Sequence, residues 1–267
     1  MIMGILNVTP DSFSDGGYHF AVDAALSRAQ AMLVEGADII DVGAESTRPG
    51  SQPVPADEQI RRAIPVVRAM CEAHPKAIIS IDTRSAGVAH EAILAGAAMI
   101  NDVSAMRDDP AIMELAAGSG VYVVLMHRRG SSPDMQKDGG PHYDNVIAEV
   151  AEFLAERRDA AVNGGVHQSR IILDPGIGFG KRAGHNWTIL ARLDRIIELG
   201  QPVLIGVSRK RFLGGLPGLE NPKARDAASL GCAVWAAISG ACILRVHDVA
   251  STVQSIRAIE AIRRAAP

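Results

Sequence analysis

The sequence predicts an α/β protein that forms a single (β/α)8 TIM barrel. Short apolar runs recur eight times along the 267 residues, and segments with the apolar spacing of helices separate them. Each run is continuous rather than alternating, as expected for parallel strands buried on both faces. Eight such units make a TIM barrel, whereas the alternative, a doubly wound sheet, usually has fewer. Because no linker or change of composition divides the chain, we expect one domain over residues 1–267.

The apolar runs locate the expected strands. In chain order they lie at residues 2–8, 39–42, 78–81, 99–103, 121–126, 171–173, 203–207 and 242–246. The first helix is predicted from a stripe that ends at Gly36 and is formed by Val22, Leu26, Ala29 and Leu33. Further helices are expected near residues 56–73, 84–97, 109–119, 144–164, 185–199, 222–239 and 249–259. Three of them are predicted to begin at Asp57, Asp109 and Asn221.

Composition and charge exclude several classes of protein. Hydrophobic residues make up 48% of the chain and charged residues 21%, which is typical of a folded globular protein and not of a disordered one. A formal net charge of −3 argues against a broad basic face for nucleic acid. Three cysteines without a CxxC pair indicate neither a zinc knuckle nor a disulfide scaffold.

Two segments bear on where the protein resides. The N-terminal sequence MIMGILNV has no basic region and no cleavage site, so no signal peptide is expected. Residues 227–244 carry no charge and approach the length of a membrane span. Because Ser229, Gly231 and Gly240 interrupt this run, we expect a buried helix, a glycine stop and a buried strand instead. The sequence therefore predicts a cytoplasmic protein with no membrane partner and no nucleic-acid partner.

Polar residues lie at the C-terminal end of every predicted strand. In chain order they are Asn7, Asp41, Asp82, Asn101, His127, Asp174, Ser208 to Lys210, and Arg245 with His247. A single polar residue at such a position often caps the next helix. Eight in succession are harder to explain in that way, and a barrel would direct all of them toward one mouth. Burying the carboxylates there without partners would cost several kcal/mol each, so the pattern favours a ligand rich in N–H donors.

The chemistry of these residues differs around the predicted mouth. Asp82, Asn101 and Asp174, on strands 3, 4 and 6, suit a heterocycle that presents amino and ring N–H groups. Lys210, Arg245 and the neighbouring His247 follow strands 7 and 8, where barrels often bind phosphate. We therefore expect a ligand with a hydrogen-bonding ring at one end and phosphate at the other. The long connections at 9–20, 43–55 and 127–143 would lie on the same face.

Eight segments together resemble the dihydropteroate synthases along essentially the whole chain. They are GILNVTPDSFSDGG (4–17), DVGAESTRPG (41–50), SIDT (80–83), INDVSA (100–105), LMH (125–127), DPGIGFGK (174–181), GVSRK (206–210) and RVHDV (245–249). The first two and GVSRK are specific to that family, whereas SIDT and INDV occur more widely among pterin-binding barrels. The resemblance implies a transferase that joins a dihydropterin carrying a CH₂-pyrophosphate to 4-aminobenzoate. Pyrophosphate would be released with the help of Mg²⁺.

The resemblance also implies which residues take part. Those implied to bind the pterin are Asp82, Asn101, Met126, Asp174 and Lys210. Those implied to hold the pyrophosphate are Asn7, Arg48, Arg245 and His247, with Asn7 also a ligand of Mg²⁺. Those implied to form the 4-aminobenzoate pocket are Phe13, Thr47, Pro49, Phe179 and Ser208. The implied catalytic residues are Arg48, Lys210, Arg245 and His247, and the long loops after strands 1 and 2 are implied to be mobile and to close over the site.

Three other functions stay open at the level of sequence. A methyltransferase that passes a methyl group from a methylated folate to a corrinoid has a similar barrel, although it needs neither STRPG nor GVSRK. The others are a paralogue that binds pterin without forming product and a barrel enzyme of unrelated chemistry.

The resemblance further implies a homodimer in which the last helices pack together. The apolar stretch at residues 227–238 fits that interface, and equally fits burial against the barrel. The chain departs from the family pattern at Ala44, where Gly is usual, and at Arg128, where Met is common.

Overall fold

Parallel strands alternate with helices in a computed structural model of the chain, which describes residues 1–8, 18–45, 52–130 and 141–265, without the side chains of residues 18–21 and 223. The strands are β1 (Ile2–Asn7), β2 (Ile39–Gly43), β3 (Ile78–Asp82), β4 (Met99–Asp102), β5 (Tyr122–Met126), β6 (Ile171–Asp174), β7 (Leu204–Ile205) and β8 (Ile243–Val246). They form one 8-stranded sheet of parallel pairs. The predicted (β/α)8 barrel is therefore confirmed.

Helices follow the strands in the described ranges much as the sequence predicts. They are α1 (Tyr18–Glu35), α2 (Ala56–Ala73), α3 (Ala86–Leu94), α4 (Ala111–Ser119), α5 (Val146–Asn163), α6 (Ala183–Ala191), α7 (Asp194–Ile197), α8 (Asp226–Ile238) and α9 (Val249–Ala265). The single helix predicted at residues 185–199 is wrong. The chain leaves helical geometry at Arg192, with φ −119° and ψ 37°, so that α6 and α7 are separate helices.

The predicted helix starts are only partly correct. Asp57 lies in the first turn of α2, where its negative charge suits the helix dipole, but it is not the cap. Asn221 precedes a 3-10 turn at Pro222–Arg225, and α8 begins after that turn. Asp109 supports two helices, because one carboxylate oxygen accepts the N–H of Ala111 at 3.2 Å and the other accepts the N–H of Ala86 at 2.7 Å. The start of α3 therefore depends on a residue in the loop before α4.

The barrel closes between β6 and β7. The hydrogen-bonded strand order is β6-β5-β4-β3-β2-β1-β8-β7, and a single parallel bridge from Leu173 to Val203 joins the two ends. The N–H of Leu173 also donates to the carbonyl of Pro202 at 2.9 Å. The strand predicted at residues 203–207 is shorter in the structure, because a turn follows in which Arg209 has a φ of +57°.

The barrel interior changes from apolar to polar along the strands. Seven buried apolar residues fill its N-terminal part: Met3, Ile39, Met99, Val124, Ile172, Leu204 and Ile243. Side chains on one strand face recur every second residue, so the next inward positions are two residues later. Those positions hold Ile5, Asp41, Asn101, Met126, Asp174, Gly206 and Arg245, and Ser80 follows the partly buried Ile78 in the same way. Alternation thus places a largely polar layer directly on an apolar one, at the carboxyl ends of the strands.

The uncharged stretch at residues 227–244 divides as the sequence predicts. It comprises most of α8, a stop at Gly240 with φ +107°, and the start of β8. Among the described residues, no helix is both long and apolar enough to cross a membrane.

Candidate active site

Arg245 lies between two buried carboxylates at the centre of the polar layer. Its Nε donates to Oδ2 of Asp41 at 2.6 Å, and its Nη2 donates to Oδ2 of Asp82 at 2.7 Å. The same oxygen of Asp41, which is 0% exposed, accepts Nδ2–H of Asn101 at 3.0 Å. Four strands, β2, β3, β4 and β8, are tied together by these contacts.

Burial and neighbouring charges shift the pKa values of this cluster in opposite directions. Burial raises the pKa of Asp82 to about 7, while the guanidinium of Arg245 opposes that rise. Burial alone would lower the pKa of Arg245, but the carboxylates of Asp41 and Asp82 raise it above its ordinary value. Arg245 is therefore a permanent cation at the base of the mouth.

Some buried polar atoms of the cluster have no hydrogen-bond partner within the protein. Among the described residues these include Oδ1 of Asp41, Oδ1 of Asp82 and Oγ of Ser80. An unpaired buried oxygen costs about 1–3 kcal/mol, and more when it is charged. Asp82 lies at the carboxyl end of β3, so a ligand N–H entering the mouth would satisfy its free oxygen.

Lys210 and Asp174 form the second part of the mouth. Oδ1 of Asp174 accepts the N–H of Gly176 at 2.7 Å, and burial raises the pKa of this carboxyl while the charge of Lys210 opposes the rise. Nζ of Lys210 donates to the carbonyl of Ile177 and lies 4.6 Å from the centre of the Phe179 ring. Burial lowers the pKa of Lys210 to about 8. The site thus holds a lysine that titrates close to neutral pH.

Ser208 and His247 meet beside this lysine. Nδ1 of His247 lies 2.9 Å from Oγ of Ser208, and the backbone N–H of His247 donates to the same oxygen at 3.3 Å. Ser208 follows β7 and His247 follows β8, as the sequence predicts. Asn7, at the end of β1, shares the inward face with Met3 and is half-buried.

His127 does not point into the mouth, contrary to the prediction. Its ring contacts that of Phe153 on α5 edge to face at 4.9 Å, and its Nδ1 lies 2.8 Å from Nζ of Lys181. Burial first, and then the charge of Lys181, lower the pKa of His127 to about 2, so the imidazole is neutral. Met126 takes the inward position on β5, and the next residue must therefore face outward.

Four predicted site residues lie outside the described residues. They are Phe13, Thr47, Arg48 and Pro49, in the loops after β1 and β2. Asn7, Asp82, Asn101, Met126, Asp174, Phe179, Ser208, Lys210, Arg245 and His247 all lie at the carboxyl ends of the strands or in the loops that follow.

Asp41 was predicted at the mouth but assigned no role. It is the residue that anchors both Arg245 and Asn101. The alternation from Ile39 could have placed it on the inward face. Its pairing with Arg245 had no local signal, because the two residues are 204 apart in sequence.

The rim of the barrel holds a chain of ion pairs that sequence reasoning missed. Arg84 donates to both carboxylate oxygens of Glu45 at 3.0 Å and to Asp108 at 2.6 Å, and Arg128 donates to Asp108 at 2.5 Å. The N–H of Val54 also donates to Glu45, at 3.2 Å, so Glu45 joins both described ends of the loop after β2. We name these four charged residues, Glu45, Arg84, Asp108 and Arg128, the rim chain.

The fold and this mouth are those of a pterin-binding barrel enzyme, and the family model described as "Pterin binding enzyme" matches residues 3–247. The dihydropteroate synthase of Escherichia coli K12 is 45% identical over 260 residues, which cover 97% of this chain and 90% of that protein. That of Mycobacterium leprae is 41% identical over 271 residues, covering 100% and 94%. The chain therefore belongs to the dihydropteroate synthase family.

Solved structures agree with that assignment. Dihydropteroate synthase from Xanthomonas albilineans with 4-aminobenzoic acid has a TM-score of 0.92 and 47% identity, covering 100% of this chain and 93% of that one. The Yersinia pestis enzyme in a sulfonamide complex has a TM-score of 0.92 and 43% identity, covering 99% and 94%. The corrinoid methyltransferase and the unrelated barrel enzyme receive no support from these relatives.

Proposed function

We propose that this chain condenses (7,8-dihydropterin-6-yl)methyl diphosphate with 4-aminobenzoate to give 7,8-dihydropteroate and pyrophosphate. The observation that carries the proposal is the buried acceptor set around Arg245, in which Asp82 presents an unpaired oxygen beside a fixed cation. The Xanthomonas albilineans enzyme, solved with 7,8-dihydropteroate, is 44% identical with a TM-score of 0.88, which supports the same product here.

The pterin would lie among β3, β4 and β6. Asp82 and Asp174 offer carboxylate oxygens to its amino and ring N–H groups, and Asn101 offers an amide whose Nδ2 is already used by Asp41. Met126, which is buried at the end of β5, would form the apolar wall. Lys210 would pack on the ring from the side of β7.

The pyrophosphate would lie toward β1 and β8. Arg245 and His247 would bind its oxygens, together with Arg48 from the loop after β2. Among the described residues no group of three His, Cys, Asp or Glu side chains could hold a metal, so no all-protein cage exists there. A single amide oxygen at Asn7 fits Mg²⁺, which usually keeps water and phosphate ligands. Bound there, Mg²⁺ would neutralise charge on the leaving pyrophosphate.

The reaction needs no protein nucleophile. The bond between the pterin methylene carbon and the pyrophosphate oxygen breaks, and its electron pair leaves with that oxygen. Arg245 and His247 stabilise the negative charge that develops. The methylene is left cationic, and the carboxylates of Asp82 and Asp174 stabilise it in their ionised form. The amine of 4-aminobenzoate then forms the C–N bond and loses a proton.

The second substrate would bind above the pterin. Phe179 and Ser208 lie beside Lys210 in the loops after β6 and β7, where they can contact the benzoate ring and its carboxylate. Phe13, Thr47 and Pro49 would complete this pocket from the loops after β1 and β2.

A coupled assay tests the proposal. The protein is mixed with the dihydropterin pyrophosphate and Mg²⁺, and pyrophosphate release is followed with and without 4-aminobenzoate. We expect release that depends on 4-aminobenzoate, together with dihydropteroate. Absence of product from folded protein would leave the paralogue that only binds pterin.

Asp174→Asn is the matched variant for this assay. Asparagine keeps an oxygen for the N–H of Gly176, so the fold should stay intact. Loss of a hydrogen bond to a charged acceptor should cost about 3 kcal/mol of binding free energy, which weakens pterin binding roughly a hundredfold. Unchanged pterin affinity in a calorimetric titration would show that Asp174 does not contact the pterin.

We also propose that the enzyme is a homodimer through α8 and α9. Trp235 and Ile238 on α8 are 52% and 48% exposed, and Ile262 on α9 is 66% exposed. Arg263 donates to the carbonyl of Ile238 at 3.0 Å, which holds the two helices side by side. Sedimentation velocity should show a dimer that Ile238→Asp dissociates. Val34→Asp, at an 84% exposed position on α1, is the control that should leave the dimer intact.

The cytoplasm is the compartment we propose. Cys71, Cys232 and Cys242 are free thiols, which suits a reducing environment. Cell fractionation followed by immunoblotting would test this location.

A further inference from the structure

Two lysines bind different carbonyls of the loop after β6, residues 175–182. One of them, Lys181, belongs to the loop itself, and the other, Lys210, follows β7. The carbonyl of Ile177 accepts from Lys210 in the mouth. The carbonyls of Gly176 and Phe179, on either side of it, accept from Nζ of Lys181 at 2.9 Å and 3.1 Å. The loop therefore has an inner side that faces Lys210 and an outer side that faces Lys181.

Lys181 is buried and fully engaged. Its side chain is 2% exposed, and besides those two carbonyls Nζ contacts Nδ1 of His127 at 2.8 Å and the carbonyl of His127 at 3.3 Å. The three carbonyls can only accept, so Nζ donates to them, and when Nζ is an ammonium, which has only donors, the neutral imidazole of His127 accepts at Nδ1. Burial lowers the pKa of Lys181 well below its ordinary value, while the charge of Asp174 opposes that shift.

The backbone of this loop packs too closely on the end of β5 for side chains to intervene. A Cβ at Gly176, where φ is +68°, would lie 1.9 Å from the carbonyl oxygen of His127. A Cβ at Gly180, where φ is +59°, would lie 2.0 Å from the carbonyl oxygen of Arg129. The close approach brings the carbonyls of His127, Gly176 and Phe179 together, and Nζ of Lys181 donates to all three.

We propose that Lys181 is a positioning residue for the 4-aminobenzoate half of the site, acting through the loop after β6. Its ammonium orients the peptides so that the Phe179 ring and the Ile177 carbonyl both face Lys210. His127 completes this support from β5. The proposal rests on the proposed function, because it assigns Phe179 to the 4-aminobenzoate pocket.

The geometry predicts a selective effect. Phe179 and Lys210 depend on the loop that Lys181 holds. Of the residues assigned to the pterin, Asp82 and Asn101 are held with Arg245 by contacts among β2, β3, β4 and β8, which do not involve Lys181. Asp174 and Lys210 touch the loop only through the N–H of Gly176 and the carbonyl of Ile177. Loss of the ammonium should therefore disturb 4-aminobenzoate binding more than pterin binding.

Lys181→Met tests this by steady-state kinetics, because methionine keeps an unbranched apolar stem as far as the ε position and removes the ammonium. We expect the KM for 4-aminobenzoate to rise about tenfold, equivalent to one lost orienting contact. The affinity for a non-reactive pterin, 6-hydroxymethylpterin, should change less than about threefold in calorimetry, because Asp82 and Asn101 are held away from this loop. An equal weakening of 4-aminobenzoate and pterin binding, or no change in the binding of either, would overturn the proposal.

A pair of variants at His127 separates positioning from general destabilisation. Asparagine can place an oxygen near Nδ1, so His127→Asn should keep the parental KM for 4-aminobenzoate. His127→Leu removes the acceptor and should raise that KM as Lys181→Met does. If the Lys181 variant does not fold, the two His127 variants still test the proposal. Equal KM values for 4-aminobenzoate in His127→Leu and His127→Asn would contradict it.

A destabilising control excludes a trivial cause. Leu154→Ala on α5 removes a buried apolar side chain that has no part in the site. When this variant is assayed below its melting temperature, the KM for 4-aminobenzoate and the affinity for the pterin should both stay unchanged. A selective rise in the KM for 4-aminobenzoate would count against positioning by Lys181. Failure of the parent enzyme itself to release pyrophosphate would contradict the proposed function instead.

Discussion

Arg245 contributes to both stability and binding, because the two carboxylates that hold it are buried. We expect Arg245→Met to lower the free energy of unfolding by about 3–5 kcal/mol, since it leaves buried charge without a partner. Urea unfolding followed by circular dichroism would measure the loss. The variant should also fail to release pyrophosphate.

A second substitution should restore part of that stability. Asp41→Asn removes one of the stranded charges, and the amide can still accept from Asn101. The double variant should therefore be more stable than Arg245→Met alone, without regaining activity. Equal stability of the two would mean that the lost packing of the arginine, and not the orphaned carboxylate, causes the loss.

Lys210 gives the reaction a specific pH dependence. With a pKa of about 8, it is an ammonium below pH 8 and neutral above it. We expect kcat/KM to fall as pH rises through about 8, because the neutral amine no longer provides a positive charge beside the substrates. Lys210→Arg stays charged over the whole range, so its remaining activity should show no such fall. A parental profile that is flat to pH 10 would contradict the role of Lys210.

The sequence predicts which residues face the barrel interior, but it does not predict which side chains pair with each other there. The inward-facing carboxylates follow from an apolar strand that ends in a polar residue, as at Asp82 and Asp174. The contact between Arg245 and Asp82 spans 163 residues and depends on barrel closure. His127 was misplaced because a polar residue after a strand was assumed to face inward, whereas alternation from Met126 turns it outward.

At the scale of elements, the rim chain couples four successive loops. Glu45 is buried and has Arg84 as its ion-pair partner, whereas Asp108 pairs with both Arg84 and Arg128. We therefore expect Arg84→Met to lower the free energy of unfolding by about 2 kcal/mol or more, because it removes the cation that pairs with Glu45 in the described part of the chain. The loop after β2 should be held less firmly, so turnover should fall more than pterin affinity.

Arg128→Met is the matched comparison. Nε and Nη1 of Arg128 are buried and have no hydrogen-bond partner among the residues that the structure describes, so removing the guanidinium also removes the free-energy cost of burying them unpaired. Because Asp108 keeps Arg84, we expect the stability to change by less than about 1 kcal/mol. Urea unfolding of both variants would check this, and a larger loss for Arg128→Met than for Arg84→Met would reverse the interpretation of the rim chain.

The elements themselves were largely predictable, and their ends were less so. α2 occupies the predicted range 56–73 because its apolar spacing is regular. The break at Arg192 has no Gly or Pro to mark it. The support of α3 by Asp109 comes from the neighbouring loop, which local sequence patterns do not report.

For the whole molecule, the seam between β6 and β7 is the weakest part of the barrel. β7 pairs with β8 at two positions and with β6 through one bridge, whereas β1 and β2 pair at five. Backbone amides in residues 201–207 should therefore exchange with deuterium faster than those in residues 39–43, since fewer hydrogen bonds must open.

Substrate should close this seam. Asp174 is the last residue of β6, and Ser208 and Lys210 follow β7, so one bound pterin contacts both sides of the junction. Because a ligand that binds only the closed form stabilises it by mass action, 6-hydroxymethylpterin at about 100 times its Kd should slow exchange at residues 201–207 by up to about a hundredfold. Exchange at residues 39–43 should change less, since β2 is already paired on both sides. Asp174→Asn should abolish the selective slowing, and equal slowing of both segments would mean that the ligand stabilises the barrel as a whole and not at its seam.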